Sequence, residues 1–177
     1  MSYQTVADIY EGNEKIRQKF EAVVAPLAAE HAGRVFEGEK WSIAEIVEHV
    51  SMVEDGTSRI CAKLLAKAEA DGTEADGRVE ISPAFFTKSD EIAAIKIEAP
   101  ERVHPSARSS IAQSLERMKD SHERFEALRP AFEKFDCRNH TFPHPFFGDI
   151  TAVEWLVLAG GHKARHLRQI KRLIDKM

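Results

Sequence analysis

Two capping boxes, each followed directly by a long segment of helical periodicity, constrain the fold of this chain most strongly. They are Ser42-Ile43-Ala44-Glu45 and Thr151-Ala152-Val153-Glu154. In such a box the hydroxyl accepts a hydrogen bond from the amide three residues on, and the glutamate accepts one from the first amide. Apolar residues then recur at helical spacing to about residue 70 and to about residue 175. We therefore predict long helices over 42–70 and 151–175.

Two further segments have the same periodicity. The first covers 5–32, where Pro26 is expected to kink the helix or to end it early. The second is expected to begin at Pro105 or Ser106 and to stop by Arg129, because Pro130 follows. Four long helices without a convincing strand pattern predict an all-α four-helix bundle. At 177 residues the chain is expected to form one domain, 1–177.

The connection between the second and third helices, residues 72–104, is long and contains two glycines and two prolines. We predict a crossover with one short helix near 89–97. Connections of this length inside a compact domain commonly form a lid or a pocket wall. Residues 135–149 are predicted to be rich in turns, because they include Pro143, Pro145 and Gly148.

Composition and charge exclude several classes of function. The chain is 43% hydrophobic and 31% charged, as in ordinary soluble domains. Its net charge of −4 provides no basic surface for nucleic acid or for an anionic membrane. No apolar run approaches the ~20 residues needed to cross a bilayer, and no signal-peptide pattern opens the chain. Cys61 and Cys137 form no CxxC motif, so we expect no disulfide and a cytoplasmic location.

Three histidines form the candidate functional site. His162 and His166 are four residues apart in the predicted C-terminal helix, so that their imidazoles lie one above the other. His49 lies at the edge of the apolar stripe of the second helix and is expected to face a neighbouring helix. Three neutral imidazoles bind zinc, nickel, copper or iron and leave coordination positions for water or substrate. The pattern therefore predicts a divalent-metal site formed by His49, His162 and His166.

Other interpretations of these residues remain open at this stage. A histidine pair at this spacing also arises by chance, and a buried histidine is often a hydrogen-bonded core residue. His122, in the apolar seam of the third helix, is expected to be such a core residue, with a role as fourth ligand as the alternative. Gly160-Gly161 indicates either a close backbone approach or a plain packing requirement.

The sequence identifies no acidic residue that could serve as a general base. Lys163 occupies the position where zincin proteases have a catalytic glutamate, which excludes a protease of that type. Glu45 and Glu154 are predicted to serve as helix caps, and Glu48 is predicted to face away from the core stripe.

Two motifs carry a family resemblance. His144-Pro-Phe-Phe-Gly148-Asp-Ile-Thr151-Ala-Val-Glu154-Trp155-Leu156, followed by His162-x-x-Arg165-His166-x-x-Gln169-Ile170, resembles the C-terminal signature of the DinB-like superfamily. The segment from Trp41 to Val50 resembles that family's second-helix motif, and the resemblance covers essentially the whole chain. It implies a four-helix-bundle metalloprotein, often a homodimer, in which His49, His162 and His166 match the ligands of nickel, zinc or iron.

The resemblance also implies a class of reaction. Some relatives are transferases and isomerases that depend on small thiols such as bacillithiol or mycothiol. We therefore predict a metal-dependent transferase that joins a low-molecular-weight thiol to a small electrophilic substrate. The alternatives are a metal-dependent hydrolase, a non-catalytic bundle that binds metal or a small ligand, and a purely structural bundle.

Overall fold

Four long helices form a bundle in the computed structural model, which describes residues 3–95 and 97–177. The helices are α1 (Val6–Val24), α2 (Ala29–Ala32), α3 (Ile43–Asp71), α4 (Pro83–Ala93), α5 (Ile111–Lys134) and α6 (Ala152–Ile174). The long helix α3 packs against α5 and α6, and α1 packs against the same two helices from the opposite corner. The predicted all-α four-helix bundle is confirmed. Among the described residues, no helix is long and apolar enough to span a membrane.

Both predicted capping boxes are confirmed. Ser42 Oγ accepts from the Glu45 amide at 3.3 Å, and Glu45 Oε2 accepts from the Ser42 amide at 2.8 Å. Thr151 and Glu154 form the same reciprocal pair at the start of α6. The α3 helix ends where Gly72 takes a positive φ of 68°, which glycine adopts without steric cost. Local signals therefore placed both helices to within two residues.

Proline at position 26 ends the first helix early. The α1 helix stops at Val24, and the short helix α2 follows after Pro26. Pro26 therefore ends the helix early and does not kink it. A proline amide has no hydrogen to donate to the carbonyl four residues earlier, and its ring crowds that carbonyl.

The predicted start of the third helix is wrong. The α5 helix begins after Ser110, which forms a capping box with Gln113, and not at residue 105 or 106. The residues before it fold over α3, where Ser106 and Ser109 donate to the Glu48 carboxylate. Hydrogen bonds to another helix thus hold this segment in a non-helical conformation.

The predicted end of the third helix is also wrong, because α5 continues through Pro130 to Lys134. The added turn buries Phe132, which is 3% exposed in the core. Tyr10 donates a hydrogen bond to the Phe125 carbonyl at 2.6 Å, one residue before the carbonyl that Pro130 leaves without an amide donor. Burial of the phenylalanine offsets the cost of the proline, and the Tyr10 bond holds α1 to α5 next to the interrupted turn.

The crossover contains its helix at an earlier position than predicted. The α4 helix covers Pro83–Ala93 rather than 89–97, and Lys96 of the predicted range lies outside the described residues. Ser82 caps α4 and Pro83 occupies its first turn, two start signals that the sequence analysis missed. A 3-10 helix, Glu101–Val103, follows before α5.

A short β-hairpin was missed in the turn-rich segment. Strand β1 (Thr141–His144) pairs antiparallel with β2 (Gly148–Thr151), in a register that places Thr141 opposite Thr151. Prolines within the segment obscured the strand pattern in the sequence. Trp155 on α6 donates its indole N–H to the Phe142 carbonyl at 3.3 Å, which holds the hairpin against the first turn of α6.

The described part of the core has a polar layer between two apolar clusters. One cluster surrounds Tyr10, Leu64, Phe125 and Leu156, and the other surrounds Phe20, Val47, Met118 and Ile170. The polar layer consists of the residues that separate these clusters along the four long helices: Asn13, Arg17, Ser51, Glu54, Ser58, Ser121, His122, Gly160, His162 and Lys163. One of the predicted metal ligands, His162, thus belongs to this layer.

Replacement of Gly160 by alanine is expected to destabilise the protein by about 1–3 kcal/mol. A Cβ at this position would lie 1.9 Å from Asn13 Oδ1, and Asn13 donates to the Leu156 carbonyl at 2.9 Å. The asparagine must move and lose that bond. Gly161→Ala is the matched control, because a Cβ there would meet no described atom within 4 Å beyond its own stretch of helix. Gly161→Ala should stabilise α6 by about 0.5–1 kcal/mol.

Urea unfolding of the two variants and the wild type checks this pair of predictions. Equal effects of the two substitutions would contradict it. Gly160 therefore reflects the close approach of the Asn13 side chain to α6, whereas Gly161 is a solvent-facing helical residue.

Candidate metal centre

The structure brings the three predicted histidines together. His49 lies in the second turn of α3, whereas His162 and His166 lie on the α6 face that packs against it. The His162 Nε2 atom is 3.2 Å from His49 Nε2 and 3.2 Å from His166 Nε2. The three candidate ligand atoms all lie within 4.8 Å of one another. His49 is buried, and the other two rings are partly exposed, so the cluster opens to solvent on the α6 side.

The spacing of these nitrogens fits a single metal ion. Two nitrogen ligands of a tetrahedral zinc, each about 2.0–2.1 Å from it, are separated by roughly 3.3 Å. Two of the three separations, those from His162 to His49 and to His166, are 3.2 Å and match this value, and the third is within 4.8 Å. A packed core histidine has no need to direct its Nε2 at two other imidazoles.

Hydrogen bonds at Nδ1 determine the tautomers of His49 and His166. The Val103 carbonyl can only accept, so His49 donates through Nδ1 at 2.8 Å. His166 donates through Nδ1 to Gln169 Oε1 at 2.9 Å. Both Nε2 atoms therefore carry bare lone pairs that point at His162. Partners of this kind orient the ligands of metal sites and increase their basicity.

Burial keeps the histidines neutral, which is the form that binds metal. It lowers the pKa of His166 to about 3, with a further contribution from the neighbouring His49. The pKa of His162 is lowered well below 6.5 by burial and then by the two other imidazoles. Burial also lowers the pKa of His49. At neutral pH the cluster therefore presents uncharged donors with few protons to displace.

Aromatic rings surround the cluster. The Trp41 ring is 5.0 Å from that of His49 and 5.9 Å from that of His104. His144 lies close enough to His162 to contribute to the lowered pKa of that residue, and burial lowers the pKa of His144 itself to about 4, so that its ring is neutral. The His144 Nδ1 accepts from the amides of Phe146 and Phe147, so its Nε2 retains a hydrogen. His144 is therefore a hydrogen-bond donor near the cluster, and sequence reasoning assigned it no role.

Arg165 links the crossover to the ligand-bearing helix. It lies between His162 and His166 in the sequence and donates to the carbonyls of Ile92 and Ile95, at the end of α4. The crossover is thereby fixed beside the three histidines.

Other candidate residues lie elsewhere. His122 is partly buried beside Glu14 and lines a cavity of about 30 Å³, and it does not belong to the three-histidine group. Lys163 is buried and donates to Glu54 at 2.7 Å. Glu45 and Glu154 are caps, as predicted, and Glu154 also accepts from Ser82. These placements leave the histidine cluster without a fourth side-chain ligand among the described residues.

Glu48 faces away from the core stripe, as predicted, but it is buried. Its carboxylate is 3% exposed and accepts four hydrogen bonds from residues 106–109. Helical periodicity placed it outside the apolar stripe correctly, but a long-range loop covers that face of α3. The sequence contained no local signal for this contact.

The metal-free protein is expected to lose stability as the pH falls from 6.5 towards about 5. Unfolded histidines take up protons below about pH 6.5, whereas the folded cluster stays neutral because its pKa values are lowered. The stability contributed by the neutral cluster is thus complete above the unfolded pKa and declines as the pH falls. Urea unfolding across this range measures it. A His162→Ala/His166→Ala variant should show a shallower decline, and equal slopes would contradict the prediction.

Comparisons with known proteins agree with this architecture. The crystal structure of TT2238, a four-helix bundle protein, aligns with a TM-score of 0.61 at 19% identity, covering 94% of this chain and 98% of TT2238. This likeness shows the fold alone. The uncharacterized protein YuaE of Bacillus subtilis (strain 168) is 25% identical over 140 residues, which are 78% of this chain and 80% of YuaE. The model of the DinB superfamily matches residues 13–170, and the chain therefore belongs to the DinB superfamily.

Proposed function

We propose that this protein holds a divalent metal ion, such as nickel, zinc or iron, through His49, His162 and His166. The single observation that carries the proposal is the convergence of three Nε2 atoms, two of them with lone pairs fixed by hydrogen bonds at Nδ1. Lone pairs that face one another across 3.2 Å repel unless a proton or a cation lies between them. The lowered pKa values disfavour a charged imidazolium in the cluster, so the single N–H of neutral His162 can lie on only one of the two 3.2 Å contacts, whereas a cation can bind all three Nε2 atoms.

We propose further that the protein is a transferase for a low-molecular-weight thiol and a small electrophile. A divalent ion at such a site keeps a coordinating thiol deprotonated near neutral pH. Three protein ligands support this use, because they leave room for an exchangeable ligand. The partial exposure of His162 and His166 supports access from solvent.

The protein's own residues contribute binding and orientation to this reaction. Val103 and Gln169 hold the ligand rings in place, and Trp41 excludes water from one side of His49. His144 presents an N–H that can bind an acceptor atom of the electrophile. In the transfer, the thiol sulfur forms a bond to the electrophilic carbon, the leaving group departs with its bonding electron pair, and the thiol proton passes to solvent.

Two measurements test the proposal. Elemental analysis of untagged protein should find about one equivalent of a divalent metal. The loaded protein, incubated with a panel of small thiols and chlorodinitrobenzene or monobromobimane, should accelerate conjugation, and His162→Ala should remove the acceleration. Hydrolysis of esters or amides without thiol would indicate a hydrolase instead. Reversible metal binding without turnover would indicate a binding bundle, and absence of stoichiometric metal a structural one.

A further inference from the structure

We infer that Glu48 is a positioning residue of the metal centre, because it anchors the loop whose Val103 carbonyl orients His49. This loop, residues 103–110, is called here the anchor loop. The inference deepens the proposed function and rests on it, since it concerns how tightly the three histidines hold a metal. Glu48 and His49 are consecutive in α3, and the anchor loop binds both of them.

The Glu48 carboxylate is saturated by the anchor loop. Its Oε1 accepts from Ser106 Oγ at 2.6 Å and from Ser109 Oγ at 3.0 Å, and its Oε2 accepts from the amides of Ser106 and Ala107, each at 3.1 Å. Burial by itself would raise the pKa of Glu48, but the hydrogen bonds hold that pKa below its usual value. A carboxylate whose lone pairs are all engaged is a poor proton acceptor, so Glu48 is not the missing general base.

Backbone strain in the anchor loop shows that these bonds impose its conformation. Ala107 has a φ of 59°, in the left-handed region that alanine rarely adopts. In this conformation two successive amides, those of Ser106 and Ala107, converge on one carboxylate oxygen and form a nest for an anion. The Arg108 amide also donates to Ser106 Oγ across Ala107, at 3.3 Å, but the shorter bonds to the carboxylate provide most of the hydrogen bonding that holds Ala107 in the strained state.

The anchored loop determines the orientation of a candidate metal ligand. Val103 lies three residues before Ser106, and its carbonyl accepts from His49 Nδ1 at 2.8 Å. His104, the next residue, packs edge-on against Trp41, which in turn contacts His49. Relaxation at Ala107 would therefore displace the carbonyl that fixes the His49 tautomer. Loss of such outer partners lowers metal affinity by about 10- to 100-fold.

Glu48→Gln tests the inference, and Glu45→Gln is its matched control. The glutamine places an N–H₂ group against the donors of the anchor loop, whereas Glu45 accepts its hydrogen bonds from Ser42 at the start of the same helix. In metal-free protein, nitrogen NMR should show His49 as the Nδ1–H tautomer in the wild type and in Glu45→Gln, and as a mixture in Glu48→Gln. Competition with a chromophoric chelator should give a zinc Kd about 10- to 100-fold weaker for Glu48→Gln alone.

The outcomes of these measurements distinguish a failure of the role of Glu48 from a failure of the proposed function. An unchanged tautomer together with a zinc Kd within about twofold of the wild type would overturn the role of Glu48. A wild type that binds no zinc would overturn the proposed function, while the NMR comparison still reports whether Glu48 orients His49. If Glu48→Gln fails to fold, Ser109→Ala removes one of the four bonds, and the same two measurements apply. A smaller weakening in the same direction supports the inference, and none overturns it.

Discussion

Replacement of His162 by alanine is expected to abolish stoichiometric metal binding, with a Kd weakened by more than about 100-fold. The His162 Nε2 lies 3.2 Å from the Nε2 atoms of both His49 and His166, so it is the ligand that joins the two helices into one site. Loss of an outer partner alone costs about 10- to 100-fold in affinity, and loss of a direct ligand costs more. Competition with a chelator of known affinity measures the effect for zinc and for nickel.

His122→Ala is the matched control for this prediction. His122 also lies in the polar layer, but it lines a cavity beside Glu14 and does not share the three-histidine cluster. Its removal should leave the Kd for metal unchanged. His49→Ala should weaken binding, as His162→Ala does. Loss of metal in His122→Ala with retention in His49→Ala would show that a different histidine completes the site.

Replacement of Lys163 by methionine is expected to destabilise the protein by about 3–5 kcal/mol. Lys163 and Glu54 are 4% and 9% exposed, and the ammonium donates to Glu54 Oε1 at 2.7 Å. The other oxygen, Oε2, has no hydrogen-bond partner among the described residues. Without Lys163, the Glu54 carboxylate would be buried with no compensating charge. Urea unfolding gives the change in the free energy of unfolding.

A double variant separates the cost of a broken pair from the value of the pair itself. Lys163→Met combined with Glu54→Leu removes both charges and fills the space with apolar groups, so most of the lost stability should return. The double-mutant cycle should therefore show strong coupling between the two positions. If the double variant is less stable than Lys163→Met by the full cost of Glu54→Leu, the two residues act independently and the explanation is wrong.

Local signals in the sequence predicted most of the helical architecture. The boxes at Ser42 and Thr151 are short-range interactions that need no tertiary contact, so they placed α3 and α6 accurately. The same reasoning failed at Pro130, where burial of Phe132 outweighs a local penalty. It failed again at residues 105–110, because the Ser106 and Ser109 hydroxyls bind a carboxylate on another helix.

The candidate site, like the fold, was predicted from the sequence only in part. The spacing of His162 and His166 on one helix follows from helical geometry, and the sequence alone determined that these imidazoles are neighbours. Periodicity and the family resemblance added His49, but only the packing of α3 against α6 decided that its Nε2 meets the other two. The Val103 carbonyl that orients His49 and the four bonds that saturate Glu48 had no sequence signal.

The sequence by itself therefore determined the long helices, their caps and the histidine pair, because these depend on interactions within a few residues of chain. The tertiary structure alone decided the path of the crossover, the ion pair of Lys163 with Glu54, and the anchor loop. The hydrogen bonds that fix the ion pair and the anchor loop join residues far apart in the chain. Their energies depend on burial and on geometry that exist only after the helices have packed.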